Sequence, residues 1–214
     1  YNLALSVWPE LTWVFPSDAD EFWIPKQPLR EVIAKIPDDI DALRVFSTRY
    51  HASEDYYSFD ENTTFYEKLH YQDFGLAHVS KIAVKAQNCI KITQGNHGIE
   101  KLDNCLPNME VNYGLATIFG LEMYEFPIRS PKQIHHKYFN GMKANMRGKE
   151  LGVLEQDTSL HWDQYAEYID KYGNQSGEVR FNASFVDLDY VIDTPLLIGK
   201  AIEFFYDIVG YQAN

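Results

Sequence analysis

The sequence predicts a mixed α/β fold, in which strands come mostly early in the chain and helices mostly late. Residues 11–15 are β-branched and aromatic and stop at Pro16, a pattern typical of a buried strand. Later, Ser130 is suited to cap a helix, Pro131 to occupy its first position, and Gln133 to complete a capping box. The 214 residues are 45% hydrophobic and 23% charged, which is the composition of a globular protein with a substantial core.

Local patterns predict the other elements of the first part of the chain. Residues 1–10 are consistent with a short helix, and residues 29–35 form a second helix between prolines. Residues 42–50 have the composition of a strand. Residues 51–72 are acidic, aromatic and irregular, so we expect a long surface loop or lid there.

Two further strands are predicted over residues 80–85 and 89–93, joined as a hairpin by polar residues at 87–88. Residues 113–124 are apolar enough for a buried strand, and Gly120 is expected to interrupt it.

The last part of the chain is predicted to be helical. Ile134, Tyr138 and Met142 recur every four residues and indicate a buried stripe on the helix that begins after Ser130. Two more helices are expected over residues 159–172 and 195–209.

The net charge of −12 argues against binding to nucleic acid or to an anionic membrane, since both favour clustered Lys and Arg. No apolar run approaches the roughly 18 residues of a transmembrane segment. The two cysteines, Cys89 and Cys105, form neither a disulfide framework nor a metal motif. The compartment therefore stays open, with the cytoplasm as the default.

Residues 17–21 bring three carboxylates, those of Asp18, Asp20 and Glu21, into a turn after the first predicted strand. In an extended stretch residues two apart point the same way, so Asp18 and Asp20 are expected to share a face. Neighbouring like charges repel, and a hard divalent cation such as Mg²⁺ or Mn²⁺ is the usual compensation. A solvated acidic turn is the alternative interpretation.

A second candidate lies in residues 94–98, where Gly95 and Gly98 flank Asn96 and His97. The glycines let the backbone turn sharply and expose the imidazole. Histidine is the commonest nitrogen ligand of metals and would complete a carboxylate site. A capping or surface histidine is the alternative.

Residues 129–149 carry six Lys and Arg, two His and no acid. The helix start after Ser130 adds N–H groups and the positive end of the helix dipole, which favours a phosphate. A solvated basic helix face is the alternative. A metal and an anion site together are what the departure of a diphosphate requires, because they neutralise the charge that develops.

Residues 13–23, Trp-Val-Phe-Pro-Ser-Asp-Ala-Asp-Glu-Phe-Trp, resemble the Asp-X-Asp segment of family 2-like glycosyltransferases of the GT-A fold, in the branch that reads Asp-X-Asp-Glu-Phe. The later motifs of that branch are matched in order by residues 81–85, Gly95-Asn-His97, Phe126-Pro-Ile-Arg-Ser130, Gln133, Lys137 and Asn140-Gly141. The resemblance covers residues 1–145. It implies a GT-A-like mixed sheet flanked by helices over residues 1–150, and we expect residues 151–214 to form a helical extension packed on the same domain.

The resemblance implies a metal-dependent glycosyltransferase that moves a sugar from a UDP- or GDP-sugar to a hydroxyl of a glycan or other acceptor. Mn²⁺ or Mg²⁺ would be the cofactor, and an aromatic loop at 51–71 would line the acceptor side. The implied site residues are Asp18, Asp20 and His97 for the metal, Asp18, Arg129 and Lys137 for the donor, and Glu21 and Glu125 as candidate general bases.

Two features depart from the family pattern. Glu125 stands where that branch has a histidine before Phe-Pro-X-Arg-Ser. A GT-A domain also places a nucleotide-binding βαβ region, on the order of 80 residues, before its Asp-X-Asp, whereas 17 residues precede Asp18 here. We therefore expect the chain to lack part of that nucleotide-binding region.

Two other classes of protein compete with this interpretation. A metallophosphoesterase also uses Gly-Asn-His, but its Asp-X-His and Gly-Asp-X-X-Asp motifs are missing from this sequence. A non-catalytic, lectin-like module would use acids to hold Ca²⁺ and stack some of the 4 Trp and 15 Tyr on sugar rings. That module leaves the basic stretch at 129–149 unexplained, so the transferase is the favoured expectation.

Overall fold

The computed structural model describes residues 11–69, 71–73, 80–86, 90–101, 110–154 and 161–183, and it confirms the mixed α/β class. The helices predicted over residues 1–10 and 195–209 lie outside these residues. The described residues fall into two compact units. The sheet unit comprises residues 11–49, 73, 80–86, 90–101 and 110–125, and the helical unit comprises residues 50–69, 71–72, 126–154 and 161–183.

Most of the strands belong to one mixed sheet. The strands in the described residues are β1 (Trp13–Val14), β2 (Glu21–Pro25), β3 (Ala42–His51), β4 (Tyr71–Asp73), β5 (Ser80–Lys85), β6 (Ile90–Ile92), β7 (Ile99–Lys101), β8 (Tyr113–Leu115) and β9 (Leu121–Glu125). The main sheet has the order β1-β5-β3-β9-β2, and β4 and β8 also pair with β3. Strand β3 runs antiparallel to β5 but parallel to β8 and β9.

The predicted hairpin between residues 80–85 and 89–93 is wrong in its pairing. Strand β5 lies between β1 and β3, while β6 pairs antiparallel with β7 in a separate two-stranded sheet. Strand β5 is buried continuously from Lys81 to Val84, as expected for a strand whose two faces are both covered. The hairpin β6–β7 carries the loop with Gly95 and His97 at its tip.

The strand predicted over residues 113–124 is interrupted as expected, but the interruption covers residues 116–120, and the first part, β8, is largely exposed. Strand β8 leads into a 3₁₀ turn, Ala116–Phe119, and β9 begins directly after the glycine. Gly120 has φ of +82°, a left-handed conformation that residues with a Cβ adopt at a cost.

The sheet is packed on both faces. On one face Val32, from helix α1 (Leu29–Ile33), packs with Leu43 of β3. On the other face Ala42 of β3 and Ile82 of β5 pack with Ile90 at the start of β6. Because successive side chains of a strand alternate, adjacent Ala42 and Leu43 reach the two opposite clusters. Helix α1 and the β6–β7 hairpin therefore cover opposite faces, which fixes the hairpin and its loop against the sheet.

The helical unit contains α2 (Phe65–Lys68), α3 (Pro131–Glu150), α4 (His161–Tyr172) and α5 (Ser176–Asn182). The predicted cap of α3 is confirmed, since Ser130 Oγ accepts a hydrogen bond from the Gln133 N–H at 3.1 Å. The Gln133 side chain reaches back to the Arg129 N–H, also at 3.1 Å. The start of α3 is thus set by its own side chains.

The predicted stripe on α3 is correct for its first two members. Ile134 and Tyr138 are buried, whereas Met142 is half-buried and the buried positions continue at Asn145 and Gly148. This drift follows from 3.6 residues per turn, which a strict spacing of four does not track over five turns.

The segment predicted as an irregular loop, residues 51–72, contains a 3₁₀ turn at Glu54–Ser58 as well as α2 and part of β4. Its aromatic rings help to build the core of the helical unit. The Tyr56 ring lies 4.5 Å from the fully buried Phe181 ring, and Phe65 lies 5.4 Å from Phe126. Packing of the helical unit thus accounts for part of the high aromatic content.

Replacing Gly177 by alanine should destabilise the helical unit by about 1–3 kcal/mol. A Cβ at Gly177 would lie 2.2 Å from the Pro131 carbonyl oxygen and 2.8 Å from His135 Cβ, so α5 and α3 would have to separate. Chemical denaturation gives the free energy of unfolding. The control is Glu178→Ala, an exposed position on the same helix, which should change stability little. Equal effects of the two variants would contradict this close helix contact.

Candidate functional site

Residues 17–21 form a closed turn between β1 and β2. The Glu21 N–H donates to the Asp18 carbonyl at 3.0 Å, and Glu21 Oε2 accepts from the Asp18 N–H at 3.0 Å. Ser17 Oγ donates to the Glu21 carbonyl at 2.7 Å. The expectation that Asp18 and Asp20 share a face rested on extended backbone and does not apply to this turn. Its hydrogen bonds instead orient Asp18 through Glu21.

The ammonium of Lys81 lies between the carboxylates of this turn. Its Nζ is 2.6 Å from Glu21 Oε1, 3.1 Å from Asp18 Oδ2 and 2.8 Å from the Gly95 carbonyl oxygen. The side chains of Lys81 and Glu21 are 7% and 2% exposed, whereas that of Asp18 is 51% exposed. The network therefore has a buried ion pair at its base and an open carboxylate at its surface.

Burial acts against both charges of the Lys81–Glu21 pair. It raises the pKa of the Glu21 carboxyl above its ordinary value, although the contacts with Lys81 and with the Asp18 N–H oppose the shift. Burial lowers the pKa of Lys81, but the adjacent Glu21 and Asp18 carboxylates outweigh it and hold that pKa above its ordinary value. Each charge of the pair therefore depends on the other.

The loop at the tip of the β6–β7 hairpin contacts the turn formed by residues 17–21, called the acidic turn below. Gly95 and Asn96 both have left-handed backbone, with φ of +76° and +62°. A Cβ at Gly95 would lie 2.7 Å from His97 Nε2, so the loop requires glycine there. Asn96 Nδ2 donates to Asp18 Oδ1 at 3.4 Å. Asn96 and Asp18, 78 positions apart in sequence, are thus in contact.

The hydrogen bond of His97 fixes its tautomer. Nδ1 lies 3.0 Å from the Ser80 carbonyl oxygen, which can only accept, so Nδ1 carries the proton. The neutral ring then has its lone pair at Nε2. A backbone carbonyl on the opposite ring nitrogen is the arrangement that metal-binding histidines usually have.

Glu125 lies on β9 directly opposite Glu21 on β2. Its Oε2 accepts hydrogen bonds from Ser47 Oγ and from Arg49 Nε, both at 2.9 Å, and its side chain is 13% exposed. Ser47 and Arg49 are two residues apart on β3, so they point to the same face. Their polar character within a strand was the signal that could have identified them as partners of a partly buried acid.

Arg129 and Lys137 belong to the helical unit. The Arg129 guanidinium lies 5.7 Å from the centre of the Phe65 ring, and Lys137 Nζ donates to the Pro127 carbonyl at 3.4 Å. At the start of α3 the Gln133 N–H is already used by the cap, and Pro131 has no N–H. A phosphate at this position would therefore depend on side chains more than on the helix N-terminus.

The sheet unit thus brings the acidic turn, which includes Asp20, together with the Gly95–His97 loop. Lys81, which joins them, was not assigned a role from the sequence. Its signal was a lysine followed directly by three apolar residues in a strand. The contacts of Arg129 with Phe65 and of Lys137 with Pro127 lie within the helical unit.

Among the described residues, no group of three or more His, Cys, Asp and Glu side chains is arranged to hold a metal ion. In the same part of the chain, no helix combines the length and the apolar character needed to cross a bilayer. Comparison of the chain with protein-family models, with curated proteins and with solved structures gives no match.

Proposed function

We propose that this protein is a metal-dependent glycosyltransferase, which moves a sugar from a UDP- or GDP-sugar to a hydroxyl of a glycan or other acceptor. One observation carries the proposal. The two segments that resemble donor-site motifs of GT-A enzymes, the acidic turn and the Gly-Asn-His loop, are in contact through Lys81 and Asn96. Chance resemblance at two distant places gives no reason for such a contact.

The donor set fits a divalent cation that is shared with a substrate. Mg²⁺ and similar ions are commonly held by one or two carboxylates together with substrate phosphates, so a cage of three protein ligands is not required. Asp18 is half exposed, and the tautomer of His97 leaves Nε2 as an acceptor. We propose that one or two of Asp18, Asp20 and His97, together with the phosphates of the donor, would hold Mn²⁺ or Mg²⁺.

When bound, the cation would neutralise charge on the departing nucleoside diphosphate. The chain's own contribution is to orient the ligands before the donor arrives. Asp18 is held by Lys81 and by the backbone of its turn, and His97 by the Ser80 carbonyl. Such preorganisation avoids reorganisation during the reaction. Arg129 and Lys137 remain the proposed contacts of the diphosphate.

Of the two candidate general bases, Glu125 suits the role better than Glu21. A base must be ionised and reach the acceptor hydroxyl. Glu21 is 2% exposed and its oxygens bind Lys81 Nζ and the Asp18 N–H. The hydrogen bonds of Glu125 both fall on Oε2, and its side chain is 13% exposed. We therefore propose Glu125 as the base and a structural role for Glu21.

Isothermal calorimetry of the intact gene product tests the proposal. UDP and GDP are titrated with and without Mn²⁺, and we expect one of them to bind only with the metal. Asp18→Asn should weaken this binding, because the amide loses the charge that attracts the cation. Asp39→Asn, an exposed acid of the same unit, should leave it unchanged.

The absence of nucleotide binding by a verified full-length protein would overturn the transferase proposal. Binding of Ca²⁺ and of free glycan would then favour the lectin-like module. Metal-independent nucleotide binding that Asp18→Asn does not weaken would overturn the assigned metal ligands.

A further inference from the structure

Lys81 is the point at which three segments of the sheet unit meet. Its ammonium has three N–H bonds, and these match three acceptors, on Glu21, Asp18 and Gly95. We propose that Lys81 is a positioning residue, which holds the acidic turn against the Gly95–His97 loop and so sets the affinity for a nucleoside diphosphate bound with a divalent cation. The inference rests on the proposed function for its ligand, but its structural part stands by itself.

The anchor of this contact is rigid. Lys81 lies on β5, which has β1 and β3 as neighbours, and its backbone pairs with Val45. The next three residues of β5 are fully buried. With its own side chain 7% exposed, Lys81 has little freedom to move its ammonium. Lys81 therefore anchors both loops to an interior strand of the sheet.

Asp18 depends on this anchor at several atoms. Its Oδ2 accepts from Lys81 and its Oδ1 from Asn96, while its N–H is held by Glu21, which Lys81 also binds. The carboxylate nevertheless remains 51% exposed. It is therefore both oriented and accessible, which is what a ligand shared between protein and substrate requires.

Charge alone and positioning predict opposite results when the ammonium is removed. Lys81 carries one positive charge beside the negative charges of Asp18 and Glu21. If only the charge mattered, its loss would make the site more negative and a divalent cation would bind more tightly. If Lys81 positions the turn, its loss weakens the binding.

The double variant Lys81→Met/Glu21→Met separates the effect of charge from positioning by the Lys81–Glu21 pair, because Glu21→Met also removes the acceptor of the Asp18 N–H. It removes one positive and one negative charge, so the net charge of the site is unchanged. It also removes the buried ion pair as a whole, which protects the fold from an unpaired buried charge. We expect its affinity for the Mn²⁺–nucleotide complex to fall at least about tenfold, by calorimetry. The control Lys85→Met, on the same strand, should bind like the wild type.

Hydrogen exchange provides a readout that needs no nucleotide. The Glu21 N–H bonds to the Asp18 carbonyl and the Asn96 N–H to the Thr93 carbonyl, so these amides report on the two loops. In the double variant both should exchange at least about tenfold faster than in the wild type, and Lys85→Met should not change them.

The outcomes separate the two proposals. Faster exchange together with weaker nucleotide binding supports the positioning role. Unchanged exchange overturns that role, and so does unchanged or tighter nucleotide binding by the double variant. If the wild type binds neither nucleotide, the proposed function fails, while the exchange rates still decide whether Lys81 ties the two loops together.

Discussion

Lys81→Met is expected to lower the free energy of unfolding by about 3–5 kcal/mol. The substitution leaves the Glu21 carboxylate, 2% exposed, without the ammonium that lies 2.6 Å from Oε1. A buried charge without its partner costs far more than the intact pair contributes. Chemical denaturation, followed by fluorescence of the buried Trp13 and Trp23, gives the value.

Two controls distinguish this cause from general loss of packing. Lys85→Met removes a lysine of the same strand whose side chain is 33% exposed, and it should cost less than about 1 kcal/mol. Lys81→Met/Glu21→Met should recover most of the loss, since replacing both members of a buried pair is often close to neutral. A double variant less stable than Lys81→Met alone would contradict the explanation.

The loss in Lys81→Met should also depend on pH. Burial already raises the pKa of Glu21, and removal of the ammonium removes an effect that opposes this rise. A carboxyl whose pKa is higher in the folded than in the unfolded state favours folding at low pH. The folded protein therefore loses stability as the pH rises from the pKa of that carboxyl in the unfolded state through its pKa in the folded state. The deficit relative to the wild type is therefore expected to be smaller at mildly acidic pH than at neutral pH.

Asp20→Asn should reduce sugar transfer by at least about 100-fold, since charge stabilisation at the departing group is usually the largest catalytic contribution. The substitution keeps the size of a half-buried side chain and removes its charge, so the fold should persist. The readout is release of nucleoside diphosphate from the sugar donor whose nucleotide binds in calorimetry. Circular dichroism verifies the fold of the variant.

Asp39→Asn is the matched control, because it removes an exposed acid of the same sheet unit and should retain full activity. A fully active Asp20→Asn would contradict the metal role of Asp20. Loss of activity in both variants would point to overall charge instead of a specific ligand.

The elements that the sequence predicted well are those with strong local signals. The helix after Ser130 has an N-cap, a proline at its first position and a periodic apolar face, and it begins at Pro131 as expected. The strand predicted over residues 42–50 is observed as Ala42–His51. The pairing of β5 was not predictable in the same way. Proximity along the chain favoured β6, whereas β5 pairs with β1 and β3, which are distant in the sequence.

The sequence identified candidate side chains for the site. The contacts between these side chains follow from the tertiary fold and were not predicted. Asp18, Asp20 and His97 stand out in the sequence because of residue type and spacing. The partners Lys81, Ser47 and Arg49 come from strands whose pairing the sequence leaves open. From the sequence alone, Lys81 is equally compatible with a position at the end of a strand, with its ammonium in solvent, because no acidic residue is adjacent to it. Only the tertiary pairing identifies it as the counterion of Glu21.

The position of Glu21 directly opposite Glu125 also bears on how β2 and β9 find their alignment during folding. A slip of β2 by one residue would turn Glu21 to the other side of the sheet. There its carboxylate would lose Lys81, while apolar Phe22 would take its place beside the ammonium. The misaligned pairing would thus leave both Glu21 and Lys81 without their ion-pair partner. We expect the ion pair to favour the native strand alignment over this one, an effect separate from any contribution to net stability.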